Sequence, residues 1–302
     1  MADIVILGIF AADTAYRARR LPQIGETVMG EGFALNAGGK GSNQSVAAAR
    51  AGGDVAFLSK IGRDTFGALA RRTWDEAGVA FAGDETDDPT GAAFIFVDAE
   101  SGDNAIIVTP GAAGTITPAD LDRWAPTIGG ARVFVTQLEQ PRDAAQRGLE
   151  IARAAGVRTV LNPAPAADIP DEMLALCDLI TPNESEAALL TGMSVAGPTD
   201  AEAAAARLRA RGAGAVIVTL GEAGALYHDG DTVLHIPALN AGPVVETTGA
   251  GDAFNGGLAA ALAEGQPIER ALRVATATAA LSVTRAGAAP SMPTRDEIDR
   301  LL

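Results

Sequence analysis

From Asp54 onward the chain alternates short apolar runs with stretches of helical periodicity, and this alternation constrains the fold more than any other feature. Val55–Lys60, Val133–Leu138, Thr159–Leu161, Leu179–Ile180 and Ala215–Leu220 read as strands. Thr65–Ala77, Ala144–Ala154 and Ala201–Ala210 read as helices between them, and Pro267–Thr284 as a later one. An earlier apolar run, Ile4–Leu7, ends at Gly8 and reads as a buried first strand. Parallel strands need crossovers, and helical crossovers cover the faces of the sheet. The expectation is an α/β protein with a mostly parallel central sheet and helices on both faces. Ligands of such sheets bind beyond the carboxyl ends of the strands. Polar residues recur at those ends: Glu139, Asn162, the run Asn183-Glu184-Ser185-Glu186, and Thr219 with Gly221.

Two segments break the alternation. Residues 14–37 contain Pro22, Gly25, Gly30 and Gly32, with extended runs at Thr27–Met29 and Phe33–Leu35. Thr90–Val97 and Ala105–Thr109 are two strand-like runs around a polar loop. Together they are expected to form a small β-sheet lid (residues 14–37 and 90–110) over a core made of residues 1–13, 38–89 and 111–302.

Two glycine-rich stretches open helices. In Thr248-Gly249-Ala250-Gly251-Asp252, the helical spacing of Phe254, Leu258, Ala261 and Leu262 places the glycines in a first turn starting near Ala250. Backbone N–H groups there have no intrahelical partner and suit a phosphate. Asp252 beside such a site reads either as an ordinary first-turn acid or as a base that takes a proton from an attacking hydroxyl. The second stretch, Gly38-Gly39-Lys40-Gly41-Ser42-Asn43-Gln44, precedes a helical run from Ser45 to Ala51. It is no Walker P-loop, because Ala34 and Gly41 stand where that motif needs Gly and Ser or Thr. The chain's only lysines are Lys40 and Lys60, so a lysine here reads as a wanted compact ammonium, against the plainer reading of a solvated turn residue. Asp13, past the first strand, is either a ligand contact or a turn cap, and Asn183 is equally a helix cap.

Other chemistries lack their residues. Gly8 is followed by Ile9-Phe10-Ala11, not by a dinucleotide fingerprint. The two histidines, His228 and His235, sit in a segment that alternates like a hairpin, which leaves zinc and Ser-His-Asp chemistry unsupported. A net charge of −15 opposes a nucleic-acid or anionic-membrane partner. No apolar run reaches the ~18 residues of a membrane span, and Asp3 interrupts a secretory leader. The single Cys177 allows no internal disulfide, so a cytoplasmic location is expected.

Taken in order, these motifs resemble the ribokinase-like sugar kinases, within the ribokinase, fructokinase and adenosine kinase superfamily. The glycine stretches at 38–44 and 248–252 resemble that family's two signatures, and Asn183-Glu184-Ser185-Glu186 its N-x-x-E motif. Thr136–Pro141, Leu161–Pro165 and Val283–Gly287 resemble the ribokinase branch in particular, and the likeness spans nearly the whole chain. It implies an ATP-dependent kinase acting on a sugar's primary hydroxyl, ribose first among candidates. Asp252 would be the base, with Gly249, Ala250 and Gly251 supplying an anion hole. The sugar would be held by Asp13, Gly38, Gly39, Lys40, Asn43 and Glu139, with Ala93 and Ile95 closing over it. Asn183, Thr219, Gly221, Gly224 and Thr276 would line the nucleotide site. Asn183 and Glu186 would hold Mg²⁺ through water. Glu246, Thr248, Val283, Gly287 and Ser291 would surround K⁺. A homodimer through the lid is implied as well.

Two positions depart from the family pattern. Ala11 replaces the asparagine found two residues before the sugar-binding aspartate, which removes a polar contact, and Glu246 replaces the usual aspartate at the monovalent-cation site. Fructose or a related ketose is therefore the alternative substrate, and a nucleoside kinase follows behind it. A non-catalytic sugar or nucleotide sensor on the same fold is the alternative of a different class, opposed by the intact Asp252.

Overall fold

The structure is a computed structural model that describes residues 2–302. Ile4–Leu7 (β1) has no exposed side chain, as a strand covered on both faces requires. The chain continues through β2 (Ala11–Ala18), β3 (Gly32–Gly38), α1 (Lys40–Arg50), β4 (Val55–Leu58), β5 (Lys60–Gly62) and α2 (Thr65–Ala77). Then come β6 (Ala80–Phe81), β7 (Asp84–Thr86), β8 (Thr90–Asp98), β9 (Asn104–Gly111) and α3 (Pro118–Gly129). Alternation follows: β10 (Val133–Thr136), α4 (Arg142–Ala154), β11 (Arg158–Leu161), α5 (Asp171–Leu174) and β12 (Leu179–Ile180). Next are α6 (Glu184–Thr191), α7 (Pro198–Ala210) and β13 (Ala215–Thr219). The hairpin β14 (Ala225–His228) and β15 (Val233–Ile236) leads to α8 (Ala250–Ala263), α9 (Ile268–Ser282) and α10 (Arg295–Leu301).

Nine strands form one sheet in the order β15-β14-β13-β12-β11-β10-β1-β4-β6. Every pairing from β13 to β6 is parallel, and only the hairpin edge is antiparallel. Successive side chains leave a strand on opposite faces. Ile4, Ile6, Val55, Phe57, Val133 and Val135 accordingly join α1, α2, α8 and α9 in one core. Val5, Leu7, Leu58, Phe134 and Leu161 join α3, α4, α6 and α7 in the other.

A separate four-stranded sheet, β3-β2-β8-β9, stands apart from the main one. Its strand β2 starts at Ala11, so Asp13 lies within this small sheet and not at the tip of β1. The extended run expected at Thr27–Met29 forms no strand, because that segment is a loop between β2 and β3. Val55–Lys60 is not one strand either: β4 stays in the main sheet while β5 turns away to pair with β7. The helix α3 went unread, although Thr117 and Asp120 close a capping box around Pro118 in its first turn.

The helix expected from Ser45 begins earlier, at Lys40, so Asn43 and Gln44 are helical and buried. It runs against α8 at unusually close range. A Cβ on Gly256 would collide with Ala47 Cβ and lie 2.7 Å from Ala48 N, which only glycine avoids. Gly8 and Gly41 likewise bring their Cα atoms so near that a Cβ on either would lie 2.7 Å from the other's Cα. These contacts bring the first turn of α1 to the first turn of α8, beyond the carboxyl end of β1.

Candidate active site

Gly249 begins α8 with φ 79°, a left-handed conformation that favours glycine, and no side chain caps the helix. Its Cα packs on the 283–291 loop, where a Cβ would stand 3.0 Å from Ala288 Cβ. The N–H of Ala250 closes onto the Thr247 carbonyl at 3.1 Å. Among the described residues, the N–H groups of Gly249, Gly251 and Asp252 have no acceptor within the protein. Free donors at a helix N-terminus attract an anion. Among the described residues, and apart from its chain neighbours and its own helix backbone, no atom lies within 4 Å of a Cβ position on Gly251, so the space above it is open.

Asp252 is 6% exposed. Its Oδ2 accepts from Asn43 Nδ2 and its Oδ1 from Gln44 Nε2, each at 3.0 Å. Burial raises the carboxyl's pKa, while Lys40 and the two amide donors act in the opposite sense. Such a group suits proton acceptance: desolvation makes the carboxylate basic, and the amides keep it oriented.

Lys40, the first residue of α1, donates its backbone N–H to Glu139 Oε2 at 2.7 Å. Burial pushes the Glu139 carboxyl up to about 7 against the opposing Lys40 contacts, and the nearby charges of Asp252 and Asp13 add to the rise. Burial also pushes Asp13 up to about 6. The Asp13 carboxylate occupies the space that a Cβ on Gly38 would fill, which explains the glycine there. Across the small sheet Asp13 pairs with Ala93, and Ile95 follows two residues on along the same strand, so all three share one face. Ala11 is 3% exposed and packs with Ile9 and Leu58 in the core, offering no polar group to a ligand.

A cavity of about 170 Å³ joins these elements. Lys40, Asn183, Glu186, Thr219, Gly249, Ala250, Gly251 and Asp252, all expected from sequence, line it. Asn183 and Glu186 also form the capping box of α6: Asn183 Oδ1 accepts from Glu186 N, and Glu186 Oε2 from Asn183 N. The capping and ligand readings of this motif are therefore compatible. Glu186 is buried, its pKa is raised by that burial, and among the described residues it has no ion-pair partner. Gly221 starts the turn after β13, but Gly224 serves backbone packing, since a Cβ there would collide with the Ile236 carbonyl. Thr276 lies buried on α9 with an unpartnered hydroxyl, outside the cavity lining.

The 283–291 loop does approach Glu246, whose Oε2 accepts from Gly287 N at 2.8 Å. The Val283 carbonyl, however, already accepts from Val245 N at 2.8 Å and Glu246 N at 3.2 Å. Both of its lone pairs are engaged, which removes it from the expected cation ligands in this structure. Ser291 is buried and donates its hydroxyl to the Ala288 carbonyl.

Sequence reasoning missed Gln44, Thr181, Thr247 and Asn255. Asn255 carried a signal, four residues after Gly251 on the same helix face. A larger groove of about 760 Å³ lies at the amino ends of β11–β13, lined by Arg153, Arg158, Asp178 and Tyr227 among others. It holds neither a buried carboxylate with perturbed titration beside a helix N-terminus nor the strand ends where such sheets bind ligands. The smaller cavity is therefore the candidate site.

Comparison with known proteins bears on the chain as a whole. The family model described as "pfkB family carbohydrate kinase" matches residues 1–295. A ribokinase of Haemophilus influenzae is 38% identical over 296 residues, covering 97% of this chain and 96% of its own. A deoxyribokinase of Salmonella typhimurium is 35% identical over 303 residues, covering 99% and 98%. The structure of Arabidopsis thaliana ribokinase complexed with ribose and ATP superposes with a TM-score of 0.93 at 31% identity, over 99% of this chain and 98% of that one.

Two outcomes follow from the geometry. Gly251→Ala meets no protein atom and improves helix propensity, so its Tm should match or exceed that of the wild type. Its kcat/KM for the phosphate donor should fall on the order of 100-fold, because the methyl occupies the anion's approach. Undiminished activity in this variant would show that no phosphate comes there. The second outcome concerns pH. Glu139 and Asp13 have folded-state values of about 7 and about 6, above their ordinary 4.5 and 3.8. The native state therefore holds the extra protons, and this stability is present at low pH and lost as pH rises through those values. Thermal scans of the ligand-free protein should show Tm falling between pH values of about 4.5 and about 7, with Glu139→Gln flattening the fall. A wild-type Tm that climbs across that window would contradict the assignment.

Proposed function

The chain belongs to the pfkB family of carbohydrate kinases and is an ATP-dependent sugar kinase, and from that premise we propose that its substrate is D-ribose, phosphorylated at the primary hydroxyl. The observation that carries the mechanism is the buried Asp252 carboxylate beside open N–H donors at the start of α8. Asp252 takes the proton of the primary hydroxyl while that oxygen forms a bond to the γ-phosphorus and the bond to ADP breaks. The N–H groups of Gly249 and Gly251, joined by that of Asp252, receive the charge on the transferring phosphoryl; Ala250 contributes once its bond to Thr247 opens. Asp13, Lys40, Asn43 and Glu139, with the close backbone of Gly38 and Gly39, hold the sugar hydroxyls. Asn183, Thr219 and Gly221 line the nucleotide side.

Glu186 and Asn183 offer oxygen donors inside the cavity, and the buried, unpaired Glu186 carboxylate fits a hydrated divalent cation. They would hold Mg²⁺ through water, and the ion would neutralise phosphate charge. Glu246, Thr248 and the 287–291 loop would take K⁺ with Gly287 and Ser291, without Val283. The small sheet, carrying Ala93 and Ile95 beside Asp13, closes over the sugar and keeps water from the phosphoryl group. Its outer face exposes Tyr16, Phe33, Phe94 and Ile107, with Tyr16 and Phe33 ring centroids 5.1 Å apart, and such a patch supports a homodimer through the lid. A cytoplasmic location, where ATP is at hand, completes the proposal.

A second reading is favoured by Ala11. An apolar residue at that corner contributes nothing to a sugar hydroxyl, so a 2-deoxypentose loses no contact there, and two relatives are named deoxyribokinase.

The test is an ADP-release assay with Mg·ATP over D-ribose, 2-deoxy-D-ribose, D-fructose and adenosine, with and without K⁺, for the wild type and Asp252→Asn. We expect the highest kcat/KM with ribose, and a drop in the variant of at least about 100-fold with sugar affinity retained in calorimetry. Higher kcat/KM with the deoxy sugar would transfer the assignment to the second reading. Undiminished turnover of Asp252→Asn would remove Asp252 as base, and binding without turnover of any sugar would make the protein a sensor.

A further inference from the structure

Behind Asp252 lies a set of buried amides that a base alone does not require. Gln44 is fully buried, and its Nε2 donates both to Asp252 Oδ1 at 3.0 Å and to Asn162 Oδ1 at 3.1 Å. Its Oε1 accepts from Gln137 Nε2 at 2.6 Å. The carboxylate sets this polarity: turning the Gln44 amide over would aim its oxygen at Asp252 and Asn162 and its N–H at another N–H. Asn162 passes the direction on, donating its Nδ2 to the Thr181 carbonyl at 3.0 Å. The Thr181 hydroxyl donates to Asn255 Oδ1 at 2.7 Å, and Asn255 Nδ2 donates to the Gly251 carbonyl at 2.8 Å. Gly251 C=O and Asp252 N–H belong to one planar peptide, so the circuit that begins at the Asp252 carboxylate ends on the peptide presenting its N–H to the cavity.

We propose that Gln44 and Asn255 are positioning residues of the phosphoryl transfer, joined through Asn162 and Thr181 so that the base and the anion-binding peptide are held in one buried frame. The proposal rests on Asp252 being the base. Three features favour a positioning role over simple core filling. All four members are nearly or fully buried, where a satisfied network is rigid and a broken one costly. They come from four separate elements, α1, the ends of β11 and β12, and α8, so the frame ties the strand ends to both helix starts. Space is made for it: the Gln137 amide that fixes Gln44 lies against Gly8 and Gly41, where a Cβ on Gly41 would stand 3.0 Å from Gln137 Oε1. Lys40, Glu139 and Glu186 are the charged groups that also act on Asp252. None of them bonds to Gln44, so its removal changes one neighbour of the carboxylate and leaves those charges in place.

The test compares kcat, KM for sugar and for ATP, and the pH profile of kcat in Gln44→Met and Thr181→Val. Gln44→Met should lower kcat on the order of 100-fold, the scale of a misplaced reacting group, with both KM values within about threefold. It should also move the acid limb of the kcat profile to higher pH, because a donor to the ionised carboxylate is lost. Thr181→Val conserves shape, and Thr181 makes no hydrogen bond to Asp252, its side-chain bond going to Asn255. It should lower kcat about tenfold with the acid limb unmoved, because only the coupling to the Gly251 peptide is cut. A folded Gln44→Met with an unchanged limb and kcat, or Thr181→Val at wild-type kcat, overturns the proposal; should Gln44→Met not fold, Thr181→Val decides alone. If Asp252→Asn itself retains turnover, the base assignment fails. If Asp252→Asn is inactive while these two variants are not, only the frame fails.

Discussion

The close packing of α1 on α8 is the constraint on which the site depends. Gly256 permits backbone contact with Ala47 and Ala48, and the Gly8–Gly41 approach sets α1 against the end of β1. With those contacts made, the first turns of two helices that are far apart in sequence meet beyond the carboxyl ends of β1 and β10. Asn43 and Gln44 then reach Asp252 without adjustment, and Lys40 reaches Glu139. A larger residue at Gly256 would separate the helices and the carboxylate from its donors in the same movement. Overpacking of this kind commonly costs about 1–3 kcal/mol in well-packed interiors.

Electrostatics sharpen the picture. A chain with net charge −15 brings Asp13, Glu139, Glu186 and Asp252 around one lysine. Burial raises all four carboxyls. The proposed ligands answer that arrangement. In the proposed complex sugar hydroxyls would donate to Asp13 and Glu139, a divalent cation would lie against Glu186, and the free N–H groups of α8 would accept the phosphoryl charge. The amides hold the Asp252 carboxylate in place while burial raises its pKa, the environment that the proposed role as base calls for.

Much of this was legible in the sequence because the signals were local. Strand–helix alternation gave the parallel sheet, and the glycine-led helix start near Ala250 pointed to a candidate anion site with its acid, whereas the start of α1 at Lys40 was placed five residues late, at Ser45. What escaped was tertiary. The Gln44–Asn162–Thr181–Asn255 circuit joins residues whose partners lie 19 to 118 positions away, beyond any periodicity. The start of β2 at Ala11 was hidden because its partners β3 and β8 lie far along the chain. Residues 27–29 looked extended yet found no neighbour to pair with, and pairing decides a strand. The occupied Val283 carbonyl reflects a loop contact that motif likeness does not encode. The start of α3, with Thr117 and Asp120 capping around Pro118, is by contrast a local signal.

The most direct measurement is a crystal structure with ribose and a non-hydrolysable ATP analogue bound together. The account requires the sugar's primary hydroxyl within hydrogen-bond distance of Asp252, with the terminal phosphate on the N–H groups of Gly249 and Gly251. A hydroxyl directed at Asp13 or Glu139 instead, or a nucleotide seated in the groove between Arg153 and Arg158, would contradict it.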